Sequence, residues 1–132
     1  MAQFIAPAQV ITAGSNVIFA NADNYNCCRI KHQNGTGVFT VKGNGDGSSA
    51  RYRVSVHVLV TATAAAPISL AITEDGEPIT ATTMAVVPAA IGDVLSMDSV
   101  YEIDTTCDCT KLALRALSAV PLTAAVAIIE RA

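Results

Sequence analysis

Between Arg51 and Thr61 the chain alternates. Tyr52, Val54, Val56, Val58 and Val60 take every second position; Arg51, Arg53, Ser55, His57, Leu59 and Thr61 take the positions between. Successive side chains of a strand point to opposite faces, so this segment is a long strand with one face in a core. Its other face passes from charged to mostly uncharged. Ile68, Leu70 and Ile72 alternate in the same way and run into Asp75-Gly76, a pair suited to a two-residue hairpin turn. Arg29–Gln33 and Val38–Lys42 flank Asn34-Gly35, a second hairpin signal. Strands are further expected at Thr82–Val87, ended by Pro88, and at Val94–Ile103, where Leu95, Met97, Tyr101 and Ile103 share a side. Lys111–Ser118 and Leu122–Arg131 complete the set, and no helical period emerges. Short strands separated by turns predict a single all-β, antiparallel jelly-roll sandwich.

The last strand breaks the usual rule of one wet face. Leu122, Ala124, Val126 and Ile128 lie on one side and Ala125, Ala127 and Ile129 on the other, so both sides are apolar. A sandwich sheet with water on its outside carries polar residues there. A second cover is therefore expected, and the reverse side of the long strand makes a weaker case of the same kind. Ser55, His57, Leu59, Thr61, Ala125, Ala127 and Ile129 are the candidate interface with further copies of the chain.

Composition supports burial against a partner. Of 132 residues 52% are hydrophobic and 14% charged, against roughly 25% charged in ordinary soluble domains. The longest apolar tract, Ala119–Ile129, is interrupted by Pro121 and Thr123 and is too short to cross a bilayer, so no membrane partner is expected. The net charge is −3, Trp is absent, and Arg51 with Arg53 is the densest basic pair, which argues against nucleic acid. Residues 1–9 carry no secretory pattern and are expected to form an arm ahead of a jelly-roll domain over 10–132. In that arm Gln3, Phe4, Ile5 and Pro7 are candidates for docking onto another protein.

Candidate chemistry is sparse. Cys27-Cys28 and Cys107-Asp108-Cys109 match no common zinc spacing. A metal site and a cross-cluster disulfide stay open beside the expected reduced thiols. His32 has no nucleophile signature around it, and no Gly-x-Ser-x-Gly elbow occurs. Gly43–Ser49 lacks the ending of a phosphate loop and the closing Glu of a calcium loop. Glu74, Asp75 and Glu77 are expected to form a solvated acidic tip. Neither an enzyme nor a cofactor is expected.

Two sets of segments carry a resemblance. Ala50-Arg-Tyr-Arg-Val-Ser-Val-His-Val followed by Ile68-Ser-Leu-Ala-Ile-Thr-Glu-Asp-Gly-Glu-Pro-Ile79 resembles the jelly roll of tumour-necrosis-factor and complement heads. Gly-Glu-Pro-Ile79, Thr82-Thr-Met84, Val87-Pro-Ala-Ala90 and the ending Ala-Ile-Ile-Glu-Arg-Ala132 are similar to small jelly-roll proteins of bacteriophages and prophages. The likeness runs from about Ala50 to the end. It implies a homotrimer with long apolar strands facing a three-fold axis. It also implies a virion protein of the capsid-decoration or head-fibre type, made in a bacterial cytoplasm, with a major capsid protein or other virion protein as partner. The alternative is a head that binds a receptor or glycan through loops such as Asn21–Asn26, Gly43–Ser49 and Thr105–Thr110.

Overall fold

A computed structural model of the chain describes residues 2–21, 30–32, 36–43, 50–105 and 109–131. Among the described residues twelve strands follow in order: β1 (Ala2–Ala6), β2 (Gln9–Ile11), β3 (Ala20–Asn21), β4 (Ile30–His32), β5 (Val38–Lys42), β6 (Ala50–Thr61), β7 (Ile68–Glu74), β8 (Glu77–Pro78), β9 (Met84–Val86), β10 (Val94–Thr105), β11 (Cys109–Ala116) and β12 (Val120–Arg131). They make two antiparallel sheets. The first runs β10-β6-β12-β1-β3, with β2 beside β12; the second runs β4-β5-β11-β7-β8, with β9 beside β7. This is the expected all-β jelly roll.

The alternation in β6 becomes its burial. Tyr52, Val54, Val56, Val58 and Val60 all point into the core. Each contributes roughly 1.5–3 kcal/mol through removal from water. The Tyr52 hydroxyl donates to the Lys42 carbonyl at 2.5 Å, which satisfies the one polar atom in that row. Across the core, Val54, Val56 and Ala127 of the first sheet meet Phe39, Ile72 and Leu114 of the second, leaving a gap of only about 10 Å³.

The Asp75-Gly76 hairpin forms as predicted. Both residues have positive φ, 50° and 88°, the left-handed pair that a tight turn between twisted strands requires. Thr82–Val87 is only partly strand. Thr80–Thr82 make one 3-10 turn, in which Thr82 Oγ1 accepts from the Ile72 N–H at 2.9 Å and donates to the Ile79 carbonyl at 2.7 Å. A hydroxyl that caps its own backbone competes with the ladder, and β9 begins only at Met84. The strands flanking Asn34-Gly35 pair antiparallel, Ile30 with Val41 and His32 with Phe39, although the turn itself lies outside the described residues. So do Cys27, Cys28, Cys107, residues 44–49 and most of the loops proposed for receptor binding.

Residues 2–9 do not form a separate arm. Ala2–Ala6 is β1, seated between β12 and β3 in the first sheet. Phe4, a candidate docking residue, is fully buried, whereas Ile5 and Pro7 are exposed and Gln3 is half-buried. Alternation explains the split: a strand that pairs with β12 must send every second side chain inward.

Candidate functional site

The outer face of the first sheet is built row by row. Across β10, β6 and β12 one row reads Ser96, Leu59, Ala124; the next reads Asp98, His57, Val126 and continues to Ile5 of β1; the third reads Val100, Ser55, Ile128 and continues to Gln3. Leu59, Ala124, Val126, Ile128 and Ile5 thus form one apolar field across β6, β12 and β1, and Val100 stands apart from it on the edge strand β10, beside Ser55. Ile5 and Val100 are 46% and 61% exposed, a large share for such side chains. Thr61 closes one end through a hydroxyl contact with Thr123 at 2.7 Å.

Charge on this face is confined and paired. Arg51 meets Asp104 at 3.0 Å, and Arg53 meets Glu102 at 2.9 Å and Glu130 at 3.7 Å. The hydrogen bond that Arg51 donates to Asp104 raises its already high pKa, and the one that Arg53 donates to Glu102 does the same, so both stay cationic. Further along, His57 Nδ1 donates to Asp98 Oδ1 at 2.5 Å. A partner surface laid over these rows meets the arginine and carboxylate charges already matched.

Of the candidate interface residues, Ser55, His57, Leu59 and Thr61 come together here. Ala125, Ala127 and Ile129 do not: they are buried inside the chain's own core. The reason is an irregularity in β12. Leu122 faces inward opposite Val60, and the register shifts between Leu122 and Ala124. A bulge of this kind inverts the alternation beyond it. Ala125, Ala127 and Ile129 then sit beside Val58, Val56 and Val54, and the outward row becomes Ala124, Val126 and Ile128. Sizes agree with this placement. Phe4 of β1 lies beside Ala127, and Ile129 lies beside Ala2, so large meets small across the ladder.

His32, weighed above as a nucleophile partner, is a core-edge residue. Its ring stacks on Phe39 with centroids 4.7 Å apart and meets Phe4 edge-on at 4.9 Å, and Nε2–H donates to the Thr36 carbonyl at 2.8 Å. Burial lowers its pKa from the ordinary 6.5. The unfolded chain therefore binds a proton on His32 more readily than the folded one, and stability falls as pH drops below about 6.5 until the lowered folded pKa is reached. Thermal melts between pH 8 and 5 are expected to show that decline, and His32→Gln is expected to flatten it. An equally steep decline in the variant would remove His32 as its source.

Asp75 also has a structural task, since its Oδ1 accepts the Lys111 N–H at 3.0 Å. Among the described residues no three His, Cys, Asp or Glu side chains cluster as metal ligands.

Solved structures with this architecture align over nearly the whole chain. An Eiger TNF from S. frugiperda superposes with a TM-score of 0.68 at 13% identity, covering 99% of this chain and 90% of that one. The fold is that of the tumour-necrosis-factor and complement heads. Murine APRIL aligns at 0.64 with 8% identity over 98% of both chains. The globular domain of zebrafish complement 1qA aligns at 0.55 with 14% identity, covering 96% and 94%. No protein-family model matches the sequence, and no curated protein matches it. The likeness to tumour-necrosis-factor and complement heads is therefore one of fold.

Proposed function

We propose that this chain is a structural protein of a bacteriophage particle, a homotrimer that decorates the capsid or forms part of a head fibre. The observation that carries self-association is the apolar field of Leu59, Ala124, Val126, Ile128 and Ile5 on the outside of the sandwich. A sheet whose inner side already fills a core has no internal use for such a field. Three copies arranged round an axis cover one another's fields, each burying on the order of 1,000 Å² or more, the scale of a stable interface. The likeness of Gly-Glu-Pro-Ile79, Val87-Pro-Ala-Ala90 and the final segment to phage jelly rolls supports the particle as its place. With Phe4 committed to the core, contact with a capsid protein falls to other surfaces. Val10, Val87 and Ile91, all strongly exposed, are the apolar side chains available for it.

Light scattering on the purified chain at micromolar concentration tests the assembly. A mass three times 13.6 kDa is expected, and a stable single-chain mass overturns it. Cosedimentation with purified capsids of the same phage tests the location. Pelleting with capsids is expected; pelleting with host cells alone contradicts it.

A further inference from the structure

Charge and the apolar field meet in one row of the first sheet's outer face. His57 has Asp98 of β10 on one side and Val126 of β12 on the other, with Ile5 of β1 beyond Val126. Leu59 stands two positions along β6 on the same face, roughly 6–7 Å away at the rise of a strand. A surface that covers Leu59 and Val126 therefore crosses His57. In the single chain the pair is wet: the His57 side chain is 52% exposed and that of Asp98 71%. Water and salt screen it there, and it contributes little to the fold.

A carboxylate only accepts hydrogen bonds, so the proton between the two side chains belongs to His57 Nδ1. The proton that the ring gains or loses is then the one on Nε2. With Nε2 protonated, imidazolium and carboxylate sum to zero. With Nε2 bare, the ring is neutral and Asp98 keeps an uncompensated negative charge. No neighbouring group takes its place. β12 and β1 put only Val126 and Ile5 into this row, and the rows of Leu59 and Ser55 on either side bring no ionisable group from β10, β12 or β1. The next charges, Glu102, Arg53 and Glu130, lie four positions along their strands and are matched to one another, with Arg51 and Asp104 paired beyond them. At the opposite end Asp93 lies past the start of β10, where its Oδ2 accepts the Ala90 N–H at 3.0 Å.

We propose that self-association through this face takes up a proton at His57 Nε2 and is tightened by mild acid. The inference rests on the self-association reading and adds its regulation. Covering a lone carboxylate strips its hydration with nothing to replace it, whereas a hydrogen-bonded ion pair enters the contact with its charges already opposed. Histidine ordinarily changes charge between pH 5 and 8. Assembled copies bind more protons than free ones, and the state that binds more is favoured as pH falls. Association therefore strengthens from pH 8 to pH 6.

The test is sedimentation equilibrium of the full chain over a concentration series at pH 8, 7 and 6 and fixed ionic strength. The concentration at which half the chains are assembled is expected to be about tenfold lower at pH 6 than at pH 8. Asp98→Asn removes the carboxylate at nearly constant size. The neutral ring then suits the covered face better than the charged one, so the dependence on pH is expected to reverse. His57→Gln leaves Asp98 uncompensated at every pH, and assembly is expected to be weak and flat across the series. Both positions are exposed in the free chain, so the melts should stay cooperative. His32, whose burial disfavours its protonated form, is present in all three proteins and cannot reverse a slope between them. Single chains at every pH and concentration overturn the self-association reading and the proton uptake with it. An assembly whose midpoint ignores pH, or an Asp98→Asn variant that keeps the wild-type slope, overturns the proton uptake alone.

Discussion

Val126→Asp is expected to leave the chain folded and to break its assembly into monomers. Val126 sits on the outward row of β12 between His57 of β6 and Ile5 of β1, at the centre of the apolar field. In a free chain the new carboxylate stands in water and the core behind it is untouched. In the assembly the same carboxylate loses its hydration inside an apolar contact. Removing an unpaired charge from water costs several kcal/mol, so each interface should weaken by about 100-fold or more. Light scattering reads the loss of mass, and circular dichroism checks that the melt stays cooperative. Ile129→Asp is the contrasting variant. Ile129 is three residues away but fully buried, so its replacement should abolish folding instead of assembly. A Val126→Asp chain that keeps the wild-type mass at the same concentration sinks the claim that this face is the interface.

The contrast between Val126 and Ile129 also marks how far residues alone carry the fold. The inward row of β6 was legible because its two sides differ in chemistry, valine against arginine, serine and histidine. The hairpin at Asp75-Gly76 was legible because few residues tolerate positive φ twice in succession. β12 offers no such contrast. Both of its sides are apolar, so periodicity shows that two covers exist without showing which side takes the core. That choice is made by the register shift after Leu122 and by neighbours far away in sequence, Val54–Val58 and Phe4. Pairing at long range is invisible to a local pattern.

The same limit hides the partner of His57. Asp98 lies 41 residues further along the chain, and only the ladder of β10 on β6 brings it alongside. The outer face of β6 is legible because four of its residues, Ser55, His57, Leu59 and Thr61, lie in one strand. Its continuation through Val126 onto Ile5 is not legible in one strand, because Ile5 comes from β1.

Phe4→Ala is expected to cost about 3–5 kcal/mol, the range for emptying the site of a buried aromatic ring. The ring is fully enclosed, with its centroid 4.5 Å from that of Phe39 and 4.9 Å from that of His32. Its own strand is held by β12 on one side and β3 on the other, so the backbone has little freedom to collapse into the void. A domain holds only about 5–15 kcal/mol in total, so this one change removes about a fifth of its stability or more. For a chain of this size the midpoint of thermal unfolding should fall by roughly 10–20 °C. Ile5→Ser, at the very next position, should change stability by less than about 1 kcal/mol, because its side chain points outward. It should instead weaken assembly, since Ile5 extends the row of His57 and Val126. If residues 1–9 were a loose docking arm, the two substitutions would leave the melt equally unchanged. Opposite responses from adjacent residues are what a strand with one face in the core and one toward a partner must give.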